Sequence, residues 1–326
     1  MARLSFAEAT RQGLAEEMRR DPRVWALGED LGLGGIFGQY KGLIEEFGPA
    51  RIVSTPIAEA TIMGAGLGAA LVGTRPVIEM RIADFALCAI DELVNQLAKV
   101  RYMFGGQARV PAVVRMPYGT WRNSAAQHSQ ALESWFIHVP GLVVLAPGTA
   151  ADAKGLLKAA IRAEDPVVLF EPKDRWTTVE EVPEGEFVTP IGSARVARAG
   201  DDVTIVTWSA ALQPAAEATA LAEHAGISVE LIDLRSLWPW DQQTVQDSVA
   251  KTGRLLVVHE AVRVSGFGAE IAATIAETAA ASLKAPVRRL GAPRTPVPFS
   301  PPLEAAYGLT AERILREVQA VASAGC

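Results

Sequence analysis

The sequence predicts an α/β fold in two domains, each a largely parallel sheet flanked by helices. Three observations carry this expectation. Short apolar runs bounded by turn residues recur at 24–27, 51–54, 76–80, 112–115, 142–146 and 167–170, with helical patterns at 58–71, 90–104 and 151–163. Strands alternating with helices need crossover connections, and crossovers make neighbouring strands parallel. The same alternation restarts after a stretch dominated by Glu, Pro, Gly and Thr, of which Val182-Pro183-Glu184-Gly185-Glu186 is the centre. Finally, 326 residues that are 49% apolar and 21% charged are enough for two buried cores.

Taken in order, the segment 5–20 carries Phe6, Ala9, Leu14 and Met18 at helical spacing and stops at Asp21-Pro22. The six apolar runs and three helical patterns then build a first domain over 1–180. Residues 181–192 read as a linker. A second domain, 193–326, sets runs at 203–207, 229–234, 255–259 and 287–290 against helices at 212–224, around 242–250 and from near Gly268. The proline-rich run 293–302 is expected to lie extended across a neighbouring surface. No fixed-period repeat is present.

Charge and composition narrow the function classes. With 31 basic and 37 acidic side chains the net charge is -6, and no basic stretch stands out, which argues against nucleic acid or an anionic membrane as partner. Two cysteines, Cys88 and Cys326, make neither a disulfide framework nor a zinc site and point to a reducing compartment. The first residues lack the apolar core of a signal peptide and carry early acids, so a cytoplasmic location is expected.

Gly64-Ala65-Gly66-Leu67-Gly68-Ala69 has the letters of a dinucleotide fingerprint, with Asp84 twenty residues beyond. That fingerprint needs its first glycine at the strand-to-helix turn, whereas the preceding strand ends near Thr55 and places Gly64 inside the helix. Close packing of another backbone is the expected role. The second glycine cluster, Gly32, Gly34, Gly35 and Gly38, lacks a Gly-Lys-Ser/Thr ending and is read as a loop rather than a phosphate cradle.

Glu59 is the informative acid. It opens an otherwise apolar helix after Thr55-Pro56-Ile57-Ala58, where the helix dipole alone would favour a Glu. Its neighbours are all small or apolar, so the carboxylate is expected in a dry setting, able to share a proton with a ligand nitrogen. His128, in Ala125-Ala126-Gln127-His128-Ser129-Gln130, follows a polar loop and is a catalytic candidate. His138 is expected to be packed and His224 to face solvent. No His, Cys and carboxylate spacing suggests a transition metal, and no Gly-x-Ser-x-Gly elbow is present.

These segments fall into ten ordered blocks. They are Thr55-Pro56-Ile57-Ala58-Glu59-Ala60, Ala83-Asp84-Phe85, Arg101-Tyr102-Met103-Phe104-Gly105-Gly106, Gln127-His128-Ser129-Gln130 and Pro140-Gly141-Leu142. They continue with Asp152-Ala153-Lys154-Gly155-Leu156-Leu157, Phe170-Glu171-Pro172-Lys173, Ile232-Asp233-Leu234-Arg235, Val257-Val258-His259-Glu260-Ala261 and Thr295-Pro296-Val297-Pro298-Phe299. From end to end the chain resembles the β subunit of the thiamine-diphosphate-dependent decarboxylase component of 2-oxo acid dehydrogenase complexes. Pyruvate, branched-chain 2-oxo acid and acetoin dehydrogenases belong there.

The resemblance implies a pyrimidine-binding domain followed by a transketolase C-terminal-like domain. It aligns Glu59 with the glutamate that hydrogen-bonds the cofactor's aminopyrimidine nitrogen, Phe85 with the aromatic that packs on that ring, and His128 with a histidine that positions substrate or assists acyl transfer. Ile57 and Arg81 fall in the same cofactor-contacting segments. It also implies decarboxylation with the cofactor as electron sink, then acyl transfer to the lipoyl group of an acyltransferase core. The diphosphate and Mg²⁺ are held in such enzymes by a Gly-Asp-Gly motif that this chain lacks, so an α subunit in an α2β2 assembly is implied.

Three positions depart from the family. Arg81 stands where Gln or Met is usual, and Trp121 sits in a loop that is more glycine-rich elsewhere. Some members hold a potassium ion at the positions of Ala112, Ala160, Ile161, Ala163 and Asp165. Ala163 replaces the aspartate of that set, which leaves potassium bound and potassium absent both open. A split transketolase-like aldehyde transferase and a non-catalytic scaffold are the competing readings. Intact Glu59, Phe85 and His128 speak against the scaffold, and the blocks around Phe104 and His128 favour the dehydrogenase over the transferase.

Overall fold

The computed structural model describes residues 1–324, so Cys326 lies outside the described residues. Two compact units emerge, one of Met1–Tyr118 with Trp135–Ile191, the other of residues 119–134 with everything from Gly192 onward.

In the first unit, strand β1 (Ala2–Ser5) leads into helix α1 (Phe6–Arg20). Ser5 caps that helix reciprocally with Glu8, each accepting from the other's backbone N–H at 3.2 and 2.8 Å. There follow β2 (Val24–Glu29), α2 (Leu43–Phe47), β3 (Ile52–Thr55), α3 (Glu59–Leu71) and β4 (Arg75–Glu79). Next come α4 (Val100–Met103), β5 (Val113–Tyr118), α5 (Glu133–Ile137), β6 (Val143–Leu145), α6 (Ala150–Arg162), β7 (Val167–Pro172) and β8 (Val179–Val182). The strands pair in the order β6-β7-β5-β4-β2-β3, all in parallel. Both faces of such a sheet are covered, and β4, β5 and β7 are accordingly buried at every position.

Helices α1 and α6 close one face over Leu14, Met18, Leu156, Leu157 and Ile161, packed on Val24, Val77, Val113 and Val167. Helix α3 covers strand β4. Its Gly66 faces Ile78 so closely that a β-carbon would collide with the isoleucine side chain. Close packing thus holds for Gly66, against a side chain rather than the expected backbone, whereas Gly64 and Gly68 have room for a β-carbon. Gly141 is equally constrained, since it takes a φ of 101° and a β-carbon there would strike the Ala98 carbonyl.

The pattern at 90–104 does not form one helix. Residues Ala83–Ala89 make a 3-10 helix, Asp91–Leu97 a π-helix, and only Val100–Met103 is α-helical. The stretch 181–192 is not a free linker either. Strand β8 pairs antiparallel with β1, and Glu186 accepts from fully buried Lys158 at 2.8 Å.

The second unit contains β9 (Arg195–Arg198), β10 (Val203–Thr207), α7 (Leu212–His224), β11 (Val229–Asp233), β12 (Ser236–Trp238), α8 (Gln242–Thr252) and β13 (Leu255–Val262). It ends with α9 (Phe267–Thr278), β14 (Arg288–Ala292), α10 (Pro301–Tyr307) and α11 (Ala311–Ser323). Its sheet runs β14-β13-β10-β11-β9, parallel except for the β9 edge. The proline-rich run ends in helix α10, because Pro301 and Pro302 occupy the first turn, where a missing N–H costs nothing.

Of the four histidines, His259 is the buried one. It stacks on Trp208 at 5.3 Å and is walled by Gly266, Gly268 and Gly291, where a β-carbon would come within 2.6–2.8 Å of the ring. His224 is exposed, and so is His138, whose segment buries Phe136 instead. Burial lowers the His259 pKa to about 4, with the Ala261 carbonyl opposing weakly. The unfolded chain therefore takes up a proton below about pH 6.5 that the folded chain refuses until about pH 4, and stability falls as pH drops through that window. The loss attributable to this group is about 3 kcal/mol. Urea unfolding at pH 7 and pH 4.5 should show a smaller acid-dependent loss for His259→Gln than for the parent chain; equal losses would refute the assignment.

Candidate active site

Parallel pairing brings the carboxyl ends of the strands of the first unit to one edge, where open α/β sheets bind ligands. Register puts Glu29 of β2 opposite Thr55 of β3, Gly28 opposite Glu79 of β4, and Glu79 opposite Arg115 of β5. Immediately beyond β3 the chain turns through Pro56, Ile57 and Ala58, and Glu59 becomes the first residue of α3. The helix dipole stabilises a carboxylate there.

Around Glu59 the surface is apolar on one side and charged on the other. Ile57 is 78% exposed, while Glu59 and Phe85 are half-buried. The carboxylate is thus less dry than its apolar neighbours in sequence suggest, since Pro56 and Ile57 are themselves exposed. The Thr55 hydroxyl oxygen is buried without a hydrogen-bond partner. Glu29 is buried, and its pKa is raised by that burial first and by the Glu59 charge second, with Arg81 pulling the other way and Asp30 adding to the rise. Arg81 forms an ion pair with Asp30, which takes a left-handed φ of 57°. The arginine is therefore committed to a partner.

Under this edge lies a buried ionic cluster. Arg115, wholly inaccessible, donates to both oxygens of Glu171 at 2.8 and 2.9 Å and stands 3.7 Å from Glu79. Tyr40 donates to Glu79 at 2.8 Å. Burial pushes the Glu79 pKa up to about 7 although Arg115 opposes it. Gly28 has no side chain for a plain reason: a β-carbon there would lie 2.8 Å from that of Glu79.

His128 belongs to the second unit, on the segment 119–134. Its side chain is exposed, and the loop that presents it has a rigid root. Arg122, Asn123 and Ala125 all take left-handed φ values of 48°, 57° and 64°. Glu260 accepts from the Thr120 N–H at 2.7 Å and its hydroxyl at 3.0 Å, and Glu304 accepts from the Asn123 N–H at 3.2 Å. Further along, Trp208 donates to buried Glu133 at 3.1 Å.

Glu59, Ile57, Arg81 and Phe85 thus share one edge of the first unit, and His128 sits on a loop of the second. Sequence alone gives no role to Glu29, Asp30, Glu260 and Glu304. For Glu260 the available signal is its place in Val257-Val258-His259-Glu260-Ala261, directly after the buried histidine.

The positions expected for potassium have other partners. Arg75 donates to the carbonyls of Ile161 at 3.0 Å and Ala163 at 2.9 Å. The Asp165 carboxylate pairs with Arg101, the Ala112 carbonyl accepts from the Val167 N–H at 2.9 Å, and that of Ala160 from the Ala163 N–H at 3.1 Å. Among the described residues no group of three or more His, Cys, Asp and Glu side chains could hold a metal ion, and no helix is long and apolar enough to cross a membrane.

Comparison with known proteins accords with this geometry. Residues 2–177 match the transketolase pyrimidine-binding domain and residues 192–314 the transketolase C-terminal domain. The chain is 41% identical over 317 residues to the 2-oxoisovalerate dehydrogenase subunit beta of Bacillus subtilis, covering 96% of this chain and 97% of that one. It is 44% identical over 326 residues to the acetoin:2,6-dichlorophenolindophenol oxidoreductase subunit beta of Cupriavidus necator, covering 96% of each. Over 306 residues it is 43% identical to a pyruvate dehydrogenase E1 component subunit beta-1 of Arabidopsis thaliana, covering 92% and 84%. A solved structure of a split gene transketolase, an inactive beta4 tetramer, superposes with a TM-score of 0.82 at 23% identity over 99% of both chains, which establishes the shared fold.

Fold and site together define a transketolase-like chain of the thiamine-diphosphate class. Within that class, the chain belongs to the β subunits of 2-oxo acid dehydrogenase decarboxylase components.

The anchoring of the His128 loop is testable. Replacing Glu260 by Ala removes two charge-assisted hydrogen bonds, and trypsin cleavage at Arg122 should accelerate about tenfold or more with the far-ultraviolet spectrum unchanged. An unaltered cleavage rate would show that Glu260 does not hold the loop.

Proposed function

We propose that this chain is the pyrimidine-binding half of a thiamine-diphosphate enzyme that oxidatively decarboxylates a 2-oxo acid, pyruvate or a branched-chain one, or cleaves acetoin, and passes the acyl group to a lipoyl acyltransferase. The observation that carries this is the placement of Glu59, a carboxylate on the first turn of α3, beside buried Glu29 at the carboxyl edge of the sheet. Exposed Ile57 precedes it by two residues, and half-buried Phe85 lies on the 3-10 helix that packs against α3.

These residues fit an aminopyrimidine. Phe85 offers a flat apolar face, Ile57 an aliphatic wedge, and Glu59 an acceptor for a ring nitrogen. When bound, thiamine diphosphate supplies a carbon acid that adds to an oxo carbon and takes up the electrons left by departing carbon dioxide. Glu59 would hold a proton between its carboxylate and the ring nitrogen, which makes the amino group of that ring a base. Glu29 sets the field around it, its own pKa raised by burial and by the Glu59 charge. Arg81, tied to Asp30, limits that repulsion. His128, from the loop rooted on Glu260 and Glu304, would orient the substrate or assist acyl transfer.

An α subunit supplies the diphosphate and Mg²⁺ site in this reading, because the chain has no Gly-Asp-Gly motif and Glu59 is only half-buried. An α2β2 particle follows from it.

The Glu59→Gln variant tests the assignment. An amide cannot share the ring proton, so decarboxylation by the reconstituted enzyme should fall at least about a thousandfold with the fold and assembly intact. Turnover close to that of the parent would remove Glu59 from the mechanism.

A further inference from the structure

We infer that the residues of the turn at 160–165 do not fit the potassium ion that the family resemblance implies there, and that the Arg75 guanidinium fixes this turn without an alkali cation. The inference rests on family membership and not on the proposed reaction.

Helix α6 ends at Arg162, and its last carbonyls carry the negative end of the helix dipole with no intrahelical donors to satisfy them. A cation or a set of N–H donors must meet them. Arg75, the first residue of β4, is 9% exposed and does both. One terminal nitrogen donates to the Ile161 carbonyl at 3.0 Å and the Ala163 carbonyl at 2.9 Å. The other terminal nitrogen pairs with the Glu164 carboxylate, and Nε faces Asp21 at 3.7 Å. Three sides of the planar group are thereby engaged.

An alkali cation held by backbone oxygens needs several of them converging at once. Here two of the five expected donors point at a guanidinium, and the Asp165 carboxylate is drawn off by Arg101. Arg109 adds a third guanidinium, 3.2 Å from Glu164. Any potassium ion at this turn would sit against the Arg75 charge and be repelled by it. Ala163 fits the same account. Its methyl group offers neither charge nor oxygen to offset a second cation beside Arg75.

Thermal unfolding of the full chain in potassium, sodium and choline chloride at matched ionic strength is the test. At about 0.1 M salt the three midpoints should agree within about 1 °C, and thallium(I), a spectroscopic stand-in for potassium, should give no bound signal. A rise of several degrees specific to potassium, or saturable thallium binding, would overturn the inference. In the second arm, Arg75→Gln strips the donors from both carbonyls and should lower the choline midpoint by about 3 °C or more. A midpoint unchanged by that substitution would also overturn it. Should the variant not fold, the salt series on the parent chain still decides between a bound cation and none. Neither readout involves turnover, so failure here is distinguishable from failure of the proposed reaction.

Discussion

A guanidinium with no access to water fixes the edge on which the candidate site is built. Arg115 lies midway along β5 between Glu171 on β7 and Glu79 on β4, and an unpaired charge in that position would cost several kcal/mol. The pairing ties the carboxyl ends of β4 and β7 to the middle of β5 between them. Tyr40 extends the lock to the glycine-rich turn after β2, through its bond to Glu79. Glu29, Arg81 and Tyr118 leave the sheet at or just beyond these strand ends, and Glu59 follows the adjoining strand. The site residues therefore inherit their positions from a buried ion cluster that no ligand needs to touch.

Charge at that edge is arranged in opposition. Glu29 and Glu59 repel, Asp30 adds to the repulsion, and Arg81 relieves it while held by Asp30. An enzyme that must keep a proton available beside a ring nitrogen benefits from such a balance, because burial and the Glu59 charge together raise the pKa of Glu29. The pairing of Arg81 with Asp30 explains how a cation is held at this edge. A second guanidinium, Arg75, answers a different need at the far end of the same strand, where the end of α6 calls for positive charge.

Much of the fold was legible because its signals are local. Alternating apolar runs and amphipathic helices announced the parallel sheets, and the position of Gly64 six residues into α3 excluded a dinucleotide turn. Helix α11 was also available in principle, through the Thr310 cap and Ile314, Val318 and Val321 on one face, yet the proline-rich run before it masked the pattern. What sequence could not supply was pairing at long range. The β1–β8 ribbon joins residues some 180 positions apart, and Arg75 meets Ile161 across 86. The segment 90–104 failed for a subtler reason, since 3-10 and π turns share the composition of α-helix.

The same holds for the site. Glu59 and His128 stood out by their neighbours, and Phe85 by resemblance. Glu29, Asp30 and Glu260 are ordinary acids in sequence whose role arises only when strand ends and loops converge. On the proposed function, this chain holds one half of a divided site. Carbon dioxide release from pyruvate and branched-chain 2-oxo acids, and aldehyde formation from acetoin, should be measured for this chain alone, for its α partner alone and for the two co-expressed, each with thiamine diphosphate and Mg²⁺. Turnover of one of these substrates that requires both chains is the predicted result. Full turnover by this chain alone, or none from a well-formed particle of the two, would contradict the claim.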